Sequence, residues 1–448
     1  MAAKQPLKPA APEPLVTLAT VDYAGIMRGR SFARRSYDAS RSSKTCGWVP
    51  ANMSLTPFDV IADPNPWGSK GDLRLLPDDE ACYRAWLPGA ATPLDVVMSD
   101  IVELDGKPWT CCPRAFLKNA LLDFKAATGS EIIASFEQEF QILDAGWPAA
   151  PSFALSALRR ADPFGPELMA ALEQAGLEPE VFIAEYGKDQ FEITGAPAKG
   201  LVAADRAAFA REIVRELARL HGWRASFAPK TAVQGVGNGV HVHLSFLDAR
   251  GRPTAHDSKQ PGKLSARAAS FCAGILRYMP ALIAFTAPSP ISGLRLKPHH
   301  WSSSYTWLGD RDREASLRIC PVVTIGGKDA AKQFNIEYRA ADATASPHLL
   351  LGVIIRAGLA GIRDKLAAPP IFSGDPETLS PEKRNSFGLH RLPDTLPDAL
   401  TCLAKDREIQ SWFSAAALET YTGMKQMELK LCAGLEGDAL CARYAGIY

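Results

Sequence analysis

The sequence carries almost no net charge. Its 50 lysine and arginine residues are balanced by 49 aspartate and glutamate residues, which leaves a formal charge of +1 over 448 residues. Proteins whose main partner is nucleic acid or an acidic membrane surface usually carry an excess of positive charge. The balance therefore argues against both kinds of partner, and we expect this chain to bind neither nucleic acid nor a membrane.

Long apolar runs and spaced cysteine pairs are also missing. We find no apolar stretch that predicts a membrane span and no early apolar segment of a secretory signal. The nine cysteines, including the adjacent Cys111 and Cys112, do not show the paired spacings of a metal site. An odd number of cysteines favours reduced thiols, so we expect a cytoplasmic protein in which they serve as packing residues.

The chain is long enough for two unequal units. Residues 1–14 are rich in proline and alanine and are interpreted as a flexible tail. Residues 15–105 read as short strands separated by turns, whereas residues 106–448 mix helices and strands. The clearest amphipathic helix covers residues 205–221, with Asp205 as the expected N-cap. The predicted fold class is α+β.

Two glutamates stand two positions apart in a stretch that reads as a strand. Residues 131–143 are largely apolar, β-branched or aromatic without a helical period, so Glu137 and Glu139 should project from one face. Neighbouring carboxylates repel each other and require cations if they are buried, and hard divalent ions suit oxygen ligands. Taken alone, the pair is explained more simply as the solvated edge of an antiparallel sheet.

A second acidic pair lies in residues 181–194, which read as a hairpin turning at residues 187–190. This register would place Glu185 opposite Glu192 across the ladder. Like charges in such positions are destabilising unless a cation lies between them. A hydrated hairpin with ordinary acidic residues remains an alternative.

A glycine-rich loop at residues 235–239 leads into a strand that carries His241 and His243 on one face. Glycines allow backbone amides to approach an anionic ligand, and imidazole can bind a metal or a phosphate. A histidine pair alone is usually structural. Together with four glutamates on strands, it indicates a mixed carboxylate and imidazole metal site.

Arginines recur in three later stretches, residues 295–298, 309–321 and 335–342. Guanidinium groups are the preferred partners of carboxylate and phosphate oxygens, although any one of these arginines is explained more simply as a surface residue. Several arginines beside a carboxylate-rich metal site suggest a nucleoside triphosphate with magnesium and an acidic substrate.

In order and spacing, these stretches resemble the glutamine synthetase family from about Val21 to the C-terminus. The similar segments also include residues 22–30, 71–78 and 107–114. The resemblance implies an N-terminal β-grasp domain at residues 15–105 and a catalytic domain of antiparallel strands and helices at residues 106–448. It further implies a homo-oligomer, either a hexameric ring or a stacked dodecamer, with active sites shared between neighbours.

The resemblance also implies two divalent ions per active site, Mg²⁺ or Mn²⁺, with glutamate and ATP as substrates. The ion on the glutamate side is expected to be held by Glu139, Glu185 and Glu192. The ion on the ATP side is expected to be held by Glu137, His241 and Glu337. The expected ATP contacts are His243, Ser245 and Arg318. The expected glutamate contacts are Gly237, Arg295 and Arg339, with Arg313 at the transferring phosphoryl group and all three arginines counted as catalytic.

Two departures from the family pattern concern the amine. Trp301 stands where ammonia-using relatives carry an acidic side chain, and residues 45–53 replace their Asp-Gly-Ser-Ser segment. Both changes remove negative charge, and an indole favours the apolar body of an organic amine. We therefore expect a ligase that joins the γ-carboxylate of glutamate to a primary amine through a γ-glutamyl phosphate, preferably an apolar or aromatic monoamine. The alternatives are an ammonia-using glutamine synthetase and a non-catalytic structural or regulatory relative.

Overall fold

Two sheets organise the chain. The computed structural model describes residues 11–448, except for the side chain of Ser42. Most of the predicted tail, residues 1–14, therefore lies outside the described residues, and residues 11–14 have no regular secondary structure.

The first sheet is small and mixed, in agreement with the expected β-grasp unit. Its elements are β1 (Leu15–Val21), β2 (Met27–Ala33), α1 (Arg34–Asp38), β3 (Cys46–Trp48), β4 (Leu73–Ala85) and β5 (Leu94–Val102). The strand order is β2-β1-β5-β4-β3, and β1 runs parallel to β5 while the other ladders are antiparallel. Within residues 72–87, which were expected to hold only short strands, β4 is 13 residues long, and its ladder is interrupted between Pro77 and Cys82. Proline has no N–H to donate to a ladder, which fits a break at this point.

The second sheet carries the rest of the chain. Its strands are β6 (Ser130–Leu143), β7 (Pro179–Ala184), β8 (Gln190–Gly195), β9 (Ala198–Lys199), β10 (Arg224–Ser226), β11 (Val240–Asp248), β12 (Leu308–Asp310), β13 (Leu317–Ile319), β14 (Ile336–Tyr338) and β15 (Ile371–Phe372). The order is β15-β12-β13-β14-β11-β6-β8-β7, with β9 and β10 also paired to β6. The ladders are antiparallel except those of β12 with β13 and with β15. The predicted α+β class is confirmed.

Most of the helices also belong to this part of the chain. They are α2 (Pro113–Thr128), α3 (Leu155–Arg159), α4 (Phe164–Gln174), α5 (Gly200–Leu220), α6 (Ala266–Thr286), α7 (Ser292–Arg295), α8 (Ala330–Gln333), α9 (Pro347–Arg363), α10 (Pro381–Ser386), α11 (Leu396–Lys405), α12 (Arg407–Ser411), α13 (Ala415–Leu431) and α14 (Gly437–Ala445).

The central strands β6 and β11 each have a core face and a free face, because side chains alternate along a strand. On the core face of β11, Val242, Leu244 and Phe246 are fully buried. Phe246 packs at ring-centroid distances of 5.1 Å from Phe124 of α2 and 5.0 Å from Phe271 of α6. Helices thus cover one face of the strands, and the residues between the apolar ones point to the other.

A buried ion network joins the two sheets and corrects the expected start of α5. This helix begins at Gly200, so Asp205 lies inside it rather than at its N-cap. The Asp205 carboxylate is buried, and it binds Arg114 of α2 at 2.8 Å and His348 of α9 at 2.8 Å. Arg114 also reaches Asp78 of β4 at 2.8 Å and Asp100 of β5 at 3.0 Å. One guanidinium group therefore ties the small sheet to the helices of the large one.

By length and mean hydropathy, α6 is apolar enough to cross a membrane. The sequence interpretation that no such stretch exists was therefore wrong. In the structure, 78% of its apolar window is buried inside the protein. Its hydropathy is accounted for by its position in the core.

Candidate active site

The free face of the large sheet collects the predicted ionisable residues in one row. The ladders place His241 opposite Glu137, His243 opposite Glu337, Glu139 opposite Glu192 and Arg318 opposite Glu337. Ser245 lies on the same face of β11, two positions beyond His243. The alternation that buries the apolar residues of β6 and β11 therefore presents the polar ones together.

Glu137 lies at the centre of this row. Its Oε1 is 2.9 Å from Nε2 of His243, and its Oε2 is 3.2 Å from Nδ1 of His241. Nδ1 of His241 is also 3.5 Å from Oε1 of Glu337. Burial opposes ionisation of Glu137, but the hydrogen bonds from the two histidines outweigh it and hold its pKa well below the ordinary value. The central carboxylate is therefore kept charged.

The two imidazoles differ in protonation. Burial works to lower the pKa of His243, but its contacts with Cys320 and Glu137 raise that pKa well above its ordinary value. The pKa of His241 is lowered, first by burial and then by the positive charge of Arg339. His241 is thus the neutral imidazole of the pair, which is the form that binds a metal.

Among the described residues, no histidine is hydrogen-bonded to Glu185 or Glu192, the carboxylates on the β8 side. Burial raises the pKa of Glu192 to about 9, and the charges of Glu137 and Glu139 add to this effect. The pKa of Glu185 is also raised, by burial and then by Glu139. Without an added cation, this end of the row retains a proton. A divalent ion would compensate the same excess of negative charge.

The expected pairing of Glu185 with Glu192 was wrong. Glu192 lies opposite Ile183, and Glu185 falls in the connection between β7 and β8, where its N–H donates to the carbonyl oxygen of Gln190 at 2.9 Å. The connection begins earlier than predicted, so the two glutamates are diagonal neighbours. They remain close enough for the Glu185 charge to raise the pKa of Glu192.

The glycine-rich loop closes tightly against Arg295. A Cβ atom at Gly237 would lie 2.7 Å from Cγ of Arg295, and one at Gly239 would lie 2.5 Å from its Nη2. The Gly239 N–H donates to Oε2 of Glu139 at 2.6 Å. Side chains at either position would collide with the arginine, which explains why the loop requires glycine here.

Arg295 is buried, and one nitrogen of its guanidinium group has no hydrogen-bond partner among the described residues. Its Nη2 donates to the carbonyl oxygen of Arg339 at 3.0 Å, whereas its Nη1 has no hydrogen-bond partner among the described residues. Burial lowers its pKa. A buried guanidinium with an unused N–H is suited to bind the carboxylate of a substrate.

Two other arginines pair with Glu337. Arg318 and Arg339 both bind its carboxylate directly. Burial works to raise the pKa of Glu337, but the positive charges, Arg339 first, bring it down to about 2. This end of the row is thus neutralised by the protein itself.

Trp301 and Arg313 lie at the exposed side of the site. Trp301 is 65% exposed. The guanidinium carbon of Arg313 lies 5.8 Å from the centroid of the Trp301 ring. The carbonyl oxygen of Trp301 accepts a hydrogen bond from Nη2 of Arg339 at 3.2 Å. Trp301, the residue predicted to contact the amine, therefore lies next to Arg313 and Arg339.

Two sets of potential metal ligands occur within the described residues. The first set is Glu137, Glu192 and His241, and the second is Glu137, His243 and Glu337; within each set, the ligand atoms lie within 4.8 Å of one another. Carboxylate oxygens with imidazole nitrogen fit Mg²⁺ or Mn²⁺. Glu137 belongs to both sets, whereas the resemblance implies two separate groups of three. That division of ligands stays a prediction.

The sequence interpretation missed Cys320, which was treated as a packing residue. Its Sγ lies 3.6 Å from Nδ1 of His243 and 3.6 Å from Oε2 of Glu337. Asn335 accompanies it, with its Oδ1 2.8 Å from Nδ1 of His243. The position of Cys320, two residues after Arg318 in a strand-like run, was the available signal.

Comparison with known proteins follows the same division of the chain. Residues 8–109 match the family model described as glutamine synthetase N-terminal domain, and residues 110–435 match that of the glutamine synthetase catalytic domain. The gamma-glutamylpolyamine synthetase GlnA3 of Streptomyces coelicolor is 33% identical, with 97% of this chain and 93% of that protein covered. The glutamine synthetase of Pyrococcus woesei is 33% identical over 68% of this chain and 69% of its own length.

Solved structures show the same similarity. One described as a novel glutamine synthase homolog has a TM-score of 0.90 and 45% identity, with 99% of this chain and 100% of that chain covered. A second, described as apo GmaS without ligand, has a TM-score of 0.78 and 25% identity, with 95% of each chain covered.

Proposed function

Because the chain belongs to the glutamine synthetase family, we propose that it is an ATP-dependent ligase that joins the γ-carboxylate of glutamate to an organic primary amine. The observation that supports this most directly is the row of glutamates, histidines and arginines on one sheet face, with Trp301 at its exposed side.

The donor set supports the binding of two divalent ions, Mg²⁺ or Mn²⁺. Glu139, Glu185 and Glu192 would hold the ion on the glutamate side. Glu137, His241 and Glu337 would hold the ion on the ATP side. When bound, these ions would neutralise phosphate charge during phosphoryl transfer.

The arginines would orient the substrates and stabilise the charge that develops. A carboxylate is a poor acyl donor until its oxygen leaves as phosphate, so ATP first phosphorylates the γ-carboxylate and the amine nitrogen then displaces phosphate. Arg295 and Arg339 would bind the glutamate carboxylates beside the backbone of Gly237. Arg313 would contact the transferring phosphoryl group, and His243, Ser245 and Arg318 would contact ATP.

The amine would pack its apolar or aromatic body on Trp301. The exposed indole supports this choice, because it offers an apolar surface next to a site that lacks an acidic side chain at position 301. We therefore propose a monoamine larger than ammonia.

A polyamine is the second candidate. A cavity of about 220 Å³ lies beside Pro298 and His299, and its lining includes the carboxylates of Asp312, Glu314, Asp375 and Glu377. Carboxylates and aromatic rings together attract extended cationic amines. The name of the Streptomyces coelicolor relative supports the same class.

Phosphate release by purified protein with ATP, Mg²⁺ and glutamate tests the proposal. Alkyl, aryl and polyamines should release phosphate faster than ammonia, with formation of the γ-glutamyl amide confirmed by mass spectrometry. Equal or faster release with ammonia would contradict it. A non-catalytic relative would form no amide at all; Mg²⁺ and nucleotide should raise the Tm if the site binds them.

The proposal also covers the oligomeric state, the domain bounds and the cellular location of the protein. We propose a homo-oligomeric ring, hexameric or dodecameric, which light scattering can measure, and domains at residues 15–105 and 106–448. All nine cysteines lie in the described part of the chain and are free thiols, which supports a reducing cytoplasmic setting.

A further inference from the structure

Trp301 lies on a short segment that we call the flap, residues 297–304. The base of the flap is closed by Ser302, whose hydroxyl donates to the carbonyl oxygens of Arg295 at 2.6 Å and Lys297 at 3.0 Å. The tip of the flap has a different anchor, the carboxylate of Glu314.

Glu314 binds two backbone N–H groups of the flap. The Trp301 N–H donates to its Oε1 at 2.6 Å, and the His299 N–H donates to its Oε2 at 3.2 Å. His299 and Trp301 have φ angles of 62° and 51°, in the left-handed region that non-glycine residues rarely adopt. Alternating backbone of this kind can form a concave site for an anion. The carboxylate thus stabilises two residues in conformations that they would otherwise disfavour.

Arg339 holds the other side of Trp301. Its Nη2 donates to the Trp301 carbonyl oxygen at 3.2 Å, and its Nε donates to the carbonyl oxygen of Arg313 at 3.1 Å. Arg313, the residue before Glu314, also lies over the Trp301 ring. The N–H and the carbonyl group of Trp301 are therefore fixed from two sides, by an acidic residue and by an arginine of the site.

We propose that Glu314 is a positioning residue that holds the flap closed, orients Trp301 toward the amine and excludes water from the γ-glutamyl phosphate. This inference rests on the proposed function. An open flap would let water compete with the amine for the acyl carbon. The bond from that carbon to the phosphate oxygen would then break, releasing glutamate, phosphate and a proton instead of the amide.

Glu314→Ala tests the proposal through the balance of products. We expect the KM for the amine to rise roughly tenfold, since two charge-assisted hydrogen bonds are lost, and phosphate to be released in excess of amide. Glu314→Gln should give an intermediate result, because its single carbonyl oxygen can accept from one flap N–H while its NH₂ group faces the other.

The matched control is Asp248→Ala. Asp248 is the last residue of β11, and its Oδ1 also accepts two backbone N–H groups, those of Arg250 at 2.8 Å and Arg252 at 2.9 Å. We expect this variant to keep the wild-type KM and the wild-type ratio of phosphate to amide. The same loss of coupling in Asp248→Ala would overturn the role of Glu314.

Hydrogen exchange gives a measurement that does not require the reaction. The amides of His299 and Trp301 should exchange faster in Glu314→Ala than in the wild type. Unchanged exchange, or a fall in kcat with phosphate and amide decreasing in step, would overturn the proposal. If the wild type forms no amide from any amine, the proposed function fails, while the exchange result still decides whether Glu314 anchors the flap.

Discussion

Replacement of Trp301 by alanine should lower kcat/KM for large amines without changing kcat/KM for ammonia. An indole side chain offers roughly 200 Å² of surface. With the residue 65% exposed, about 130 Å² remains free, and an aromatic amine that covers half of it would bury about 65 Å² of the indole. At ~25 cal/mol per Å² this area contributes about 1.6 kcal/mol. The loss corresponds to a roughly 15-fold lower kcat/KM.

The assay is the initial rate of γ-glutamyl amide formation at several concentrations of an aryl amine and of ammonia. We expect Trp301→Ala to lower kcat/KM for the aryl amine and to leave the value for ammonia unchanged, because ammonia has no apolar body to pack. Trp86→Ala is the control, since Trp86 is 52% exposed and follows β4 of the small sheet. A parallel decrease for both nucleophiles, or no decrease for the aryl amine, would refute the packing argument.

Three further predictions concern the metal site and the core. Glu139→Ala should abolish amine-dependent phosphate release without changing the oligomer measured by light scattering, because it removes a carboxylate from the glutamate side; retained activity would disprove its role. Mg²⁺ affinity, measured by calorimetry, should strengthen from pH 6 to pH 9 with release of protons, since burial raises the pKa of Glu192 to about 9 in the metal-free protein and the ion must displace that proton; an affinity independent of pH would contradict this. Arg114→Met should lower the free energy of unfolding by about 3–5 kcal/mol in urea denaturation, because it leaves the carboxylate of Asp205 without its guanidinium partner; a loss below ~1 kcal/mol would show that His348 suffices.

The sequence predicted the parts of the site that depend on strand alternation alone. Glu137 and Glu139 on β6, and His241 and His243 on β11, share one face because they stand two positions apart in stretches of clear strand character. The fold class and the strand–helix division followed from the same periodicity. The pairing of β6 with β11, which brings these residues together, could not be predicted from the local sequence pattern, because the register of two strands depends on residues that are distant in the chain.

The sequence predictions were wrong where tertiary contacts determine the position of a residue. Asp205 has the chemistry of an N-cap, but its partners Arg114 and His348 come from other helices, and the helix starts earlier. Glu185 was misplaced because the length of the hairpin connection, and not the strand pattern, sets the register. The role of Glu314 was equally hidden, since its partners are backbone N–H groups of a flap whose path the sequence does not specify.

The charged groups of the site are compensated unequally, so the two proposed metal sites would start from different states of protonation. At one end of the row of charged residues, Arg339 and Arg318 neutralise Glu337 and lower its pKa to about 2. At the other, burial and neighbouring carboxylates raise the pKa of Glu192 to about 9. Under the proposed function, the ligands on the ATP side would therefore be organised before an ion binds, whereas those on the glutamate side would exchange a proton for a cation. A divalent ion held by Glu139, Glu185 and Glu192 would neutralise that end, which could then accept a carboxylate substrate beside Arg295.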